Sequence, residues 1–374
     1  MSAPAEAPQD IKLLLARKIF LLKVSDAPGL DKPAIQAEVL AAVDKDALAP
    51  LYSYVCAELG LPVDEAKLAG YREINAAKIK EIEDKIVDAQ ENLGETEVRD
   101  ALLAKAEYLA SIGDKDAAVA AFTKTEEKTA GGGNKLDLIF SQIRLFMLYE
   151  EWRSVQRLVL RAKKMCEEGG DWERKNKLKV YEAVLALYTR DFKHAAELLL
   201  DSTATFTATE LFPYSTLILY AVVASLISVP RVSLKAKVVD SPEILTVLGT
   251  LPHLEPLLHS LYYCRYREFF SSFVEVVDTM KLDPYLQPHI RYYMREIRVV
   301  VYSQFLESYK SVTLASMAAA FDVSTDFLDA ELADFIVAGR LHAKIDKVAG
   351  IVETNRPDAK NALIQKLSKV IDIE

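Results

Sequence analysis

The sequence is poor in residues that break helices. It has 13 glycines and 14 prolines among 374 residues, about half and about three-quarters of their ordinary frequencies. This scarcity excludes collagen-like and low-complexity sequence and disfavours a sheet-rich fold with many turns. Hydrophobic residues make up 51% of the chain, which excludes a largely disordered protein. The length suits roughly two or three domains with a sizeable core.

Cysteine and positive charge are also scarce. Cys56, Cys166 and Cys264 lie far apart and form no CxxC pair, which disfavours a disulfide framework or a zinc ribbon and fits a reducing compartment. A net charge of -9 disfavours binding to phosphate backbones, because such binding needs a concentrated basic surface. The first ten residues have no basic segment before an apolar one, so we expect a flexible tail rather than a signal peptide.

One uncharged stretch, from 211 to 230, is long enough to span a bilayer. Pro213 lies near its start and four serine and threonine residues interrupt it, and no basic cluster flanks it closely. We therefore predict a buried core helix here and no membrane association.

Helical periodicity dominates the rest of the chain. Apolar residues follow 3-4-3-4 spacing from Ile79 to Leu93, with Lys and Glu between them, which is typical of an amphipathic helix. A weak repeat follows, since Trp152 and Phe192 are 40 residues apart and Phe192 and Tyr266 are 74 apart, about twice 37. This period resembles tetratricopeptide-type helical hairpins, which stack into a solenoid. Ser241-Pro242 and Asp283-Pro284 each predict the start of a further helix.

The pattern changes after Ser311. Residues 314–321 and 328–336 carry apolar side chains at helical spacing on either side of a turn. Residues 341–346 then alternate between apolar and polar, which is typical of a strand, and 348–353 can be its hairpin partner. A helix, a turn, a helix and a two-stranded wing together predict a winged helix. An exposed strand edge in such a wing is a template for strand addition by a partner.

A last apolar stripe ends the chain. It predicts a C-terminal helix with an exposed apolar face that must dock on something, and it consists of Leu363, Leu367, Val370 and Ile371.

The sequence contains no recognisable catalytic, cofactor-binding or metal-binding motif. There is no Gly-x4-Gly-Lys-Ser/Thr, no Gly-x-Ser-x-Gly and no His-Glu-x-x-His. The five histidines are scattered, and His253 and His259 are too poorly spaced to share one helical face. We therefore expect a protein that is not an enzyme and binds neither cofactor nor metal.

The second helix of the winged element argues against groove binding of DNA. Residues 324–338 carry four carboxylates (Asp326, Asp329, Glu331 and Asp334) and no basic residue, and 311–353 has a net charge of -4. Recognition helices instead present Arg, Lys, Asn or Gln to the bases. We expect a protein-binding module and no nucleic acid.

Five stretches make the sequence recognisable. Two lie in the C-terminal part, YSQFLESYKSVT (302–313) and SMAAAFDVSTDFLDAELADFIVAGRLHAKIDKVAGIVETNRPDAKN (316–361). Three lie earlier, ENLGETEVRDA (91–101), GGDWERKNKLKVYE (169–182) and SLYYCRYREFF (260–270). They resemble the PCI-domain family, shared by the proteasome lid, the COP9 signalosome and a eukaryotic initiation factor, and most closely its proteasome-lid subunits.

The resemblance implies a mainly helical protein with a tetratricopeptide-like repeat solenoid, a winged-helix PCI module with a small β wing, and a C-terminal helix. The implied divisions are an N-terminal helical region (1–60), a repeat arm (61–190), a PCI domain (191–355, its winged helix at 311–355) and a bundle helix (356–374). The implied function is a non-catalytic scaffold that supports lid assembly and ATP-dependent degradation of ubiquitinated proteins. A COP9 signalosome scaffold and a nucleic-acid-associated PCI protein are the alternatives.

The resemblance also implies where partners bind. Wing-to-wing pairing maps to Leu341, His342, Lys344, Ile345, Ile351 and Val352, and helix bundling maps to the C-terminal apolar stripe. The implied partners, in a cytoplasmic and nuclear hetero-oligomer, are other PCI subunits of the lid, the lid deubiquitinase and a small acidic tether subunit. One departure from the family is the short junction at 361–364, where a longer segment is usual, so this chain has either a deletion or a missing segment there.

Overall fold

The chain forms two compact units. The computed structural model describes residues 9–24 and 29–354. The first unit comprises the described residues up to Ala224 together with Asp278–Pro288, and the second comprises Ser225–Val277 and the described residues from His289 onwards.

Helices build the whole of the first unit among its described residues. They are α1 (Ile11–Lys23), α2 (Lys32–Asp46), α3 (Ala49–Leu59), α4 (Glu65–Asn92), α5 (Glu95–Ile112), α6 (Lys115–Lys128), α7 (Gly132–Leu148), α8 (Trp152–Gly169), α9 (Trp172–Tyr188), α10 (Phe192–Ser202) and the first part of α11 (Tyr214–Ser228).

Three successive helical hairpins form the repeat that the spacing predicted. The pairs α5–α6, α7–α8 and α9–α10 pack against each other. Asp114 and Asp191 cap the second helix of the first and third pairs, where their carboxylates accept the N–H groups of Ala117 and His194 at 3.1 Å. Ala118 and Ala195 are fully buried at the helix contacts, because small side chains let two helices approach closely.

The predicted amphipathic stripe lies on helix α4, which has 28 residues and begins well before the stripe. Ile86 and Ala89 are buried, and the stripe ends at Leu93, which follows the last helical residue and is 56% exposed. The uncharged stretch forms α11, whose residues from Ala221 to Leu226 are all buried, so the prediction of a core helix is confirmed. Within the described residues, every helix is too short or too polar to cross a membrane.

The second unit contains the remaining helices and the strands of the described part. The helices are α12 (Arg231–Leu234), α13 (Pro242–Leu248), α14 (Leu254–Tyr262), α15 (Tyr266–Lys281, which ends in the first unit), α16 (Ile290–Leu306), α17 (Leu314–Phe321) and α18 (Thr325–Val337). The strands are β1 (Ser311–Thr313), β2 (Ala343–Asp346) and β3 (Ile351–Thr354).

One of the two proline-based helix starts is correct. Pro242 begins α13 directly after Ser241. Asp283 makes the predicted capping bonds, since its carboxylate accepts the N–H groups of Tyr285 and Leu286, but the turn leads into a short 3-10 segment, Gln287–His289, and not directly into an α-helix. Helix α16 begins at Ile290.

The three strands form one antiparallel sheet in the order β1-β3-β2. With α17 and α18 they make a winged helix at the end of a mainly helical chain, so the predicted fold class is confirmed. The third strand, β1, was not predicted.

Candidate interaction surface of the winged helix

An aromatic cluster in the second unit seats the winged helix. Phe321, at the end of α17, is 1% exposed. Its ring lies 4.9 Å from Tyr266, 5.1 Å from Tyr302 and 5.2 Å from Phe305, measured between ring centroids. Burial of such rings is a main source of stability in a core. The cluster therefore holds α17 firmly against α15 and α16.

Glu331 connects the acidic helix α18 to helix α16. Its carboxylate accepts the Tyr302 hydroxyl at 2.6 Å and pairs with Arg298 at 2.8 Å, and only 11% of its side chain is exposed. Burial, reinforced by the Glu331 hydrogen bond and charge, raises the pKa of the Tyr302 hydroxyl well above its usual range. Of the four carboxylates of α18, Glu331 therefore lies on the inner side of the helix.

The other carboxylates of α18 differ in their exposure. Asp329 pairs with Lys347 at 3.0 Å and is about one-quarter exposed, so it connects α18 to the β2–β3 turn. Asp326 and Asp334 are exposed. The outward face of α18 thus remains acidic.

The hydrogen bonds between β1 and β3 show which residues of β3 direct their main-chain groups to β1 and which to β2. The N–H of Thr354 donates to the Lys310 carbonyl at 3.0 Å, and the N–H of Leu314 donates to the Gly350 carbonyl at 2.8 Å. The main-chain groups of the even-numbered residues of β3 therefore point to β1. Those of Ile351 and Glu353 point to β2, because successive residues in a strand face opposite sides.

The outer edge of β2 is free among the described residues. Lys344 lies opposite Glu353 and Asp346 opposite Ile351, so these two residues of β2 exchange hydrogen bonds with β3. The N–H and C=O groups of Ala343 and Ile345 must then point away from the sheet. This edge can accept another strand.

Two polar contacts fix the ends of the β2 region. Arg340 donates to Glu296 on α16 at 3.0 Å just before the strand begins. After the strand, the Asp346 carboxylate accepts the N–H groups of Val348 and Ala349 at 2.9 and 3.0 Å. Val348, at this turn, is fully exposed.

The predicted wing residues separate into two groups. His342 and Lys344 are exposed and Ile345 is half-buried, and all three lie at or beside the free edge. Leu341 is buried, and Val352 is fully buried in the central strand β3, next to half-buried Ile351. A strand paired on both sides cannot receive a third, so Ile351 and Val352 are not available for strand addition. The C-terminal candidates Leu363, Leu367, Val370 and Ile371, and the 361–364 junction, lie outside the described residues.

Sequence reasoning missed two features of this surface. Ala343 contributes through its main chain, which no side-chain pattern reveals. Strand β1 was missed because it has three residues, although the run Ser311-Val312-Thr313 carries the β-branched residues that strands favour.

The described residues show no catalytic arrangement. They contain no group of three or more histidine, cysteine or acidic side chains that could hold a metal ion. A cavity of about 410 Å³ in the first unit is lined partly by Trp152, Tyr220 and Asp283. The Asp283 carboxylate there already accepts the Tyr220 hydroxyl in addition to two backbone N–H groups. These three hydrogen bonds give it a structural role.

Comparison with known proteins gives two family matches. The family described as 26S proteasome subunit RPN7 matches residues 64–237, and the PCI domain matches residues 274–356.

The chain is also similar over its full length to curated proteins. It is 52% identical over 387 aligned positions to the 26S proteasome non-ATPase regulatory subunit 6 homolog of Arabidopsis thaliana, covering 100% of both chains. It is 52% identical to the 26S proteasome non-ATPase regulatory subunit 6 of Oryza sativa subsp. japonica, with 98% of each covered. It is 38% identical to the 26S proteasome regulatory subunit RPN7 of Saccharomyces cerevisiae, over 95% of this chain and 89% of the relative.

Proposed function

The chain belongs to the family of the 26S proteasome subunit RPN7, and on that premise we propose that it organises the lid by binding neighbouring subunits through two separate surfaces. It is a regulatory, non-catalytic subunit of the lid. The first proposed surface is the free edge of β2, with His342, Lys344 and Ile345. The second is the C-terminal apolar stripe, formed by Leu363, Leu367, Val370 and Ile371.

The observation that carries this proposal is the pair of outward-facing residues on β2. Ala343 and Ile345 present two N–H and two C=O groups to the outside of the sheet, as the register of β2 on β3 requires. A strand from a PCI neighbour can use all four and extend the sheet. The exposed ammonium group of Lys344 then lies beside the new strand and favours an acidic side chain on it.

The same edge is too short to hold a partner alone. Four backbone hydrogen bonds of about 0.5–1.5 kcal/mol net each stay below or close to the roughly 4–15 kcal/mol lost on association. A short edge also limits unwanted pairing. The second surface is therefore needed, and two weak contacts joined in one complex give high effective affinity.

The proposed partners are the other PCI subunits of the lid, the lid deubiquitinase and the small acidic tether subunit. In that hetero-oligomer, in the cytoplasm and the nucleus, the chain supports ATP-dependent degradation of ubiquitinated proteins by positioning the subunits that act on them.

Proline substitution at Ile345 tests the edge. Proline lacks an N–H, and at this position the missing N–H is one that points outward, so we expect the fold to persist while strand addition fails. Incorporation into co-expressed lid should fall about tenfold, since one hydrogen bond is lost and the proline ring obstructs the partner strand.

Two control variants separate pairing from folding. Ile345→Ala removes the same side chain but keeps the N–H, so it should incorporate normally. Lys344→Pro removes an N–H that bonds to β3 and should lower the unfolding temperature. Normal incorporation of Ile345→Pro would exclude the edge as a binding surface.

A further inference from the structure

Helix α8 exposes a face whose charge is opposite to that of the whole protein. Between Trp152 and Cys166 it has five cationic side chains and no acidic one. Residues 152–188 carry a net charge of +4, whereas the chain as a whole carries -9. Helix α4, another long exposed helix, instead mixes seven acidic with five basic residues, as an ordinary solvated helix does.

Four residues define what we call the basic face of α8: Arg153, Arg157, Leu160 and Lys164. They lie at i, i+4, i+7 and i+11, so they fall within about 60° of the helix circumference and along roughly 17 Å of its length. All four are exposed. The opposite side of the helix is buried against α7 and α9 through residues such as Val155 and Val159.

The cations of the basic face are not neutralised by this chain's described residues. Arg161 and Lys163, on its flank, pair with Glu126 and Glu182. Within the described part of the chain, Arg153, Arg157 and Lys164 have no carboxylate at ion-pair distance, and Arg157 donates only to the Ser154 hydroxyl, at 3.0 Å. Leu160 is 54% exposed between them. The face therefore combines three available charges with a central apolar contact.

We propose that the basic face of α8 binds an acidic helical segment of another protein, whose carboxylates pair with the three cations and whose apolar side chain packs on Leu160. Charge complementarity requires the partner segment to be negatively charged. The central leucine selects protein over nucleic acid, because a phosphate backbone makes no use of an apolar side chain among the cations. This surface lies in the first unit and is distinct from the β2 edge.

A designed probe tests the recognition chemistry directly. The probe is a fluorescein-labelled helical peptide of about 18 residues with glutamate at i, i+4 and i+11 and leucine at i+7. Fluorescence anisotropy with the full chain should show binding that weakens as salt is raised. Arg153→Glu combined with Arg157→Glu should weaken it at least about tenfold, and Leu160→Ala by a smaller factor.

Charge-matched controls make the result specific. Arg72→Glu with Lys80→Glu places the same two reversals on the exposed side of α4 and should leave binding unchanged. A peptide with lysine in place of glutamate should not bind. The proposal is overturned if the probe does not bind, if the α4 control weakens binding as much, or if single-stranded oligothymidylate binds more tightly than the peptide.

A second experiment uses the assembled particle. A photo-crosslinking amino acid at position 160 should capture a partner segment that is acidic and contains an apolar residue. A crosslink to a neutral or basic segment, or the absence of any crosslink in an intact particle, contradicts the proposal.

Discussion

Asp283 shows at the residue scale how burial changes the role of a carboxylate. It is 3% exposed, and the hydroxyl of Tyr220 and two backbone N–H groups donate to it. Burial raises the pKa of the Asp283 carboxyl, although these hydrogen bonds oppose the rise. The residue therefore serves the first unit as an acceptor, and its charge itself is unfavourable there.

Replacing Asp283 with alanine should lower the free energy of unfolding by about 2–4 kcal/mol, because the Tyr220 hydroxyl and two N–H groups lose their acceptor. Asp283→Asn keeps an oxygen for the backbone N–H groups and removes the unfavourable charge, so it should cost much less. Chemical denaturation of both variants measures the difference, and equal losses would show that the charge itself matters.

Glu182 illustrates the opposite shift. Burial alone would raise its pKa, but hydrogen bonds from Lys163 and His194, at 2.8 and 2.9 Å, lower it. A carboxyl whose pKa is lower in the folded chain than in the unfolded chain stabilises the fold when the pH is above its unfolded-state pKa. This contribution to stability disappears as the pH falls through its folded-state pKa.

Glu182→Gln should therefore destabilise the chain slightly at pH 7, by less than about 1 kcal/mol because the pair is partly screened by solvent. The difference from the unmutated chain should begin to shrink as the pH falls below about 4.3, the ordinary glutamate pKa, and should vanish once the pH is below the lower pKa of the folded chain. Thermal unfolding at both pH values checks this, and a difference independent of pH would contradict it.

At the scale of elements, the turn from α5 to α6 is shaped by a glycine. Gly113 has φ of +83°, and its carbonyl accepts the Tyr149 hydroxyl. A Cβ at this position would lie 2.8 Å from the Tyr149 oxygen and 3.1 Å from the Leu51 Cβ. The turn thus requires glycine for both its conformation and its space.

Gly113→Ala should destabilise the chain by about 2–3 kcal/mol, of which about 1 kcal/mol is the left-handed conformation itself. Gly60 has φ of +64° and nothing within 4 Å of an added Cβ, so Gly60→Ala should show only the conformational cost. Comparing unfolding free energies separates the two effects, and equal losses would mean that the close contacts at Gly113 relax freely.

Predictability from sequence also differs between elements. The paired helices and the alternation of 341–346 were predictable, since the period of buried side chains follows directly from helix and strand geometry. The sheet order was not, because β1 is only three residues long and its partner, β3, lies about 40 residues away. The predicted wing therefore included Val352, which the order β1-β3-β2 buries completely.

At the scale of the whole molecule, full-length similarity to RPN7-family proteins places this chain in a large assembly. The proposed binding surfaces are short or narrow when taken singly: a four-residue strand edge, a terminal apolar stripe and one helix face. Joined in one complex, such contacts reinforce one another. The loss of any single surface should therefore weaken assembly without unfolding the chain.

Truncation before Leu363 tests this at the molecular scale. We expect the truncated chain to fold with an unchanged unfolding temperature but to incorporate poorly into the lid, as measured by native gel electrophoresis of the co-expressed complex. Alanine at Leu363, Leu367, Val370 and Ile371 should reproduce the defect, whereas alanine at Lys366 and Lys369 should not. Normal incorporation of the truncated chain would exclude the C-terminal stripe.

The sequence by itself determined the helical class, the winged element and the family. Each of these is encoded locally, in side-chain periods and in motif stretches that need no knowledge of distant contacts. Only the tertiary structure decided that β2 is an outer strand, that Glu331 bonds inward to Tyr302, and that the Asp283 carboxylate accepts the Tyr220 hydroxyl. Those outcomes depend on which distant residues meet, because strand order, burial and hydrogen-bond partners are properties of packing between elements.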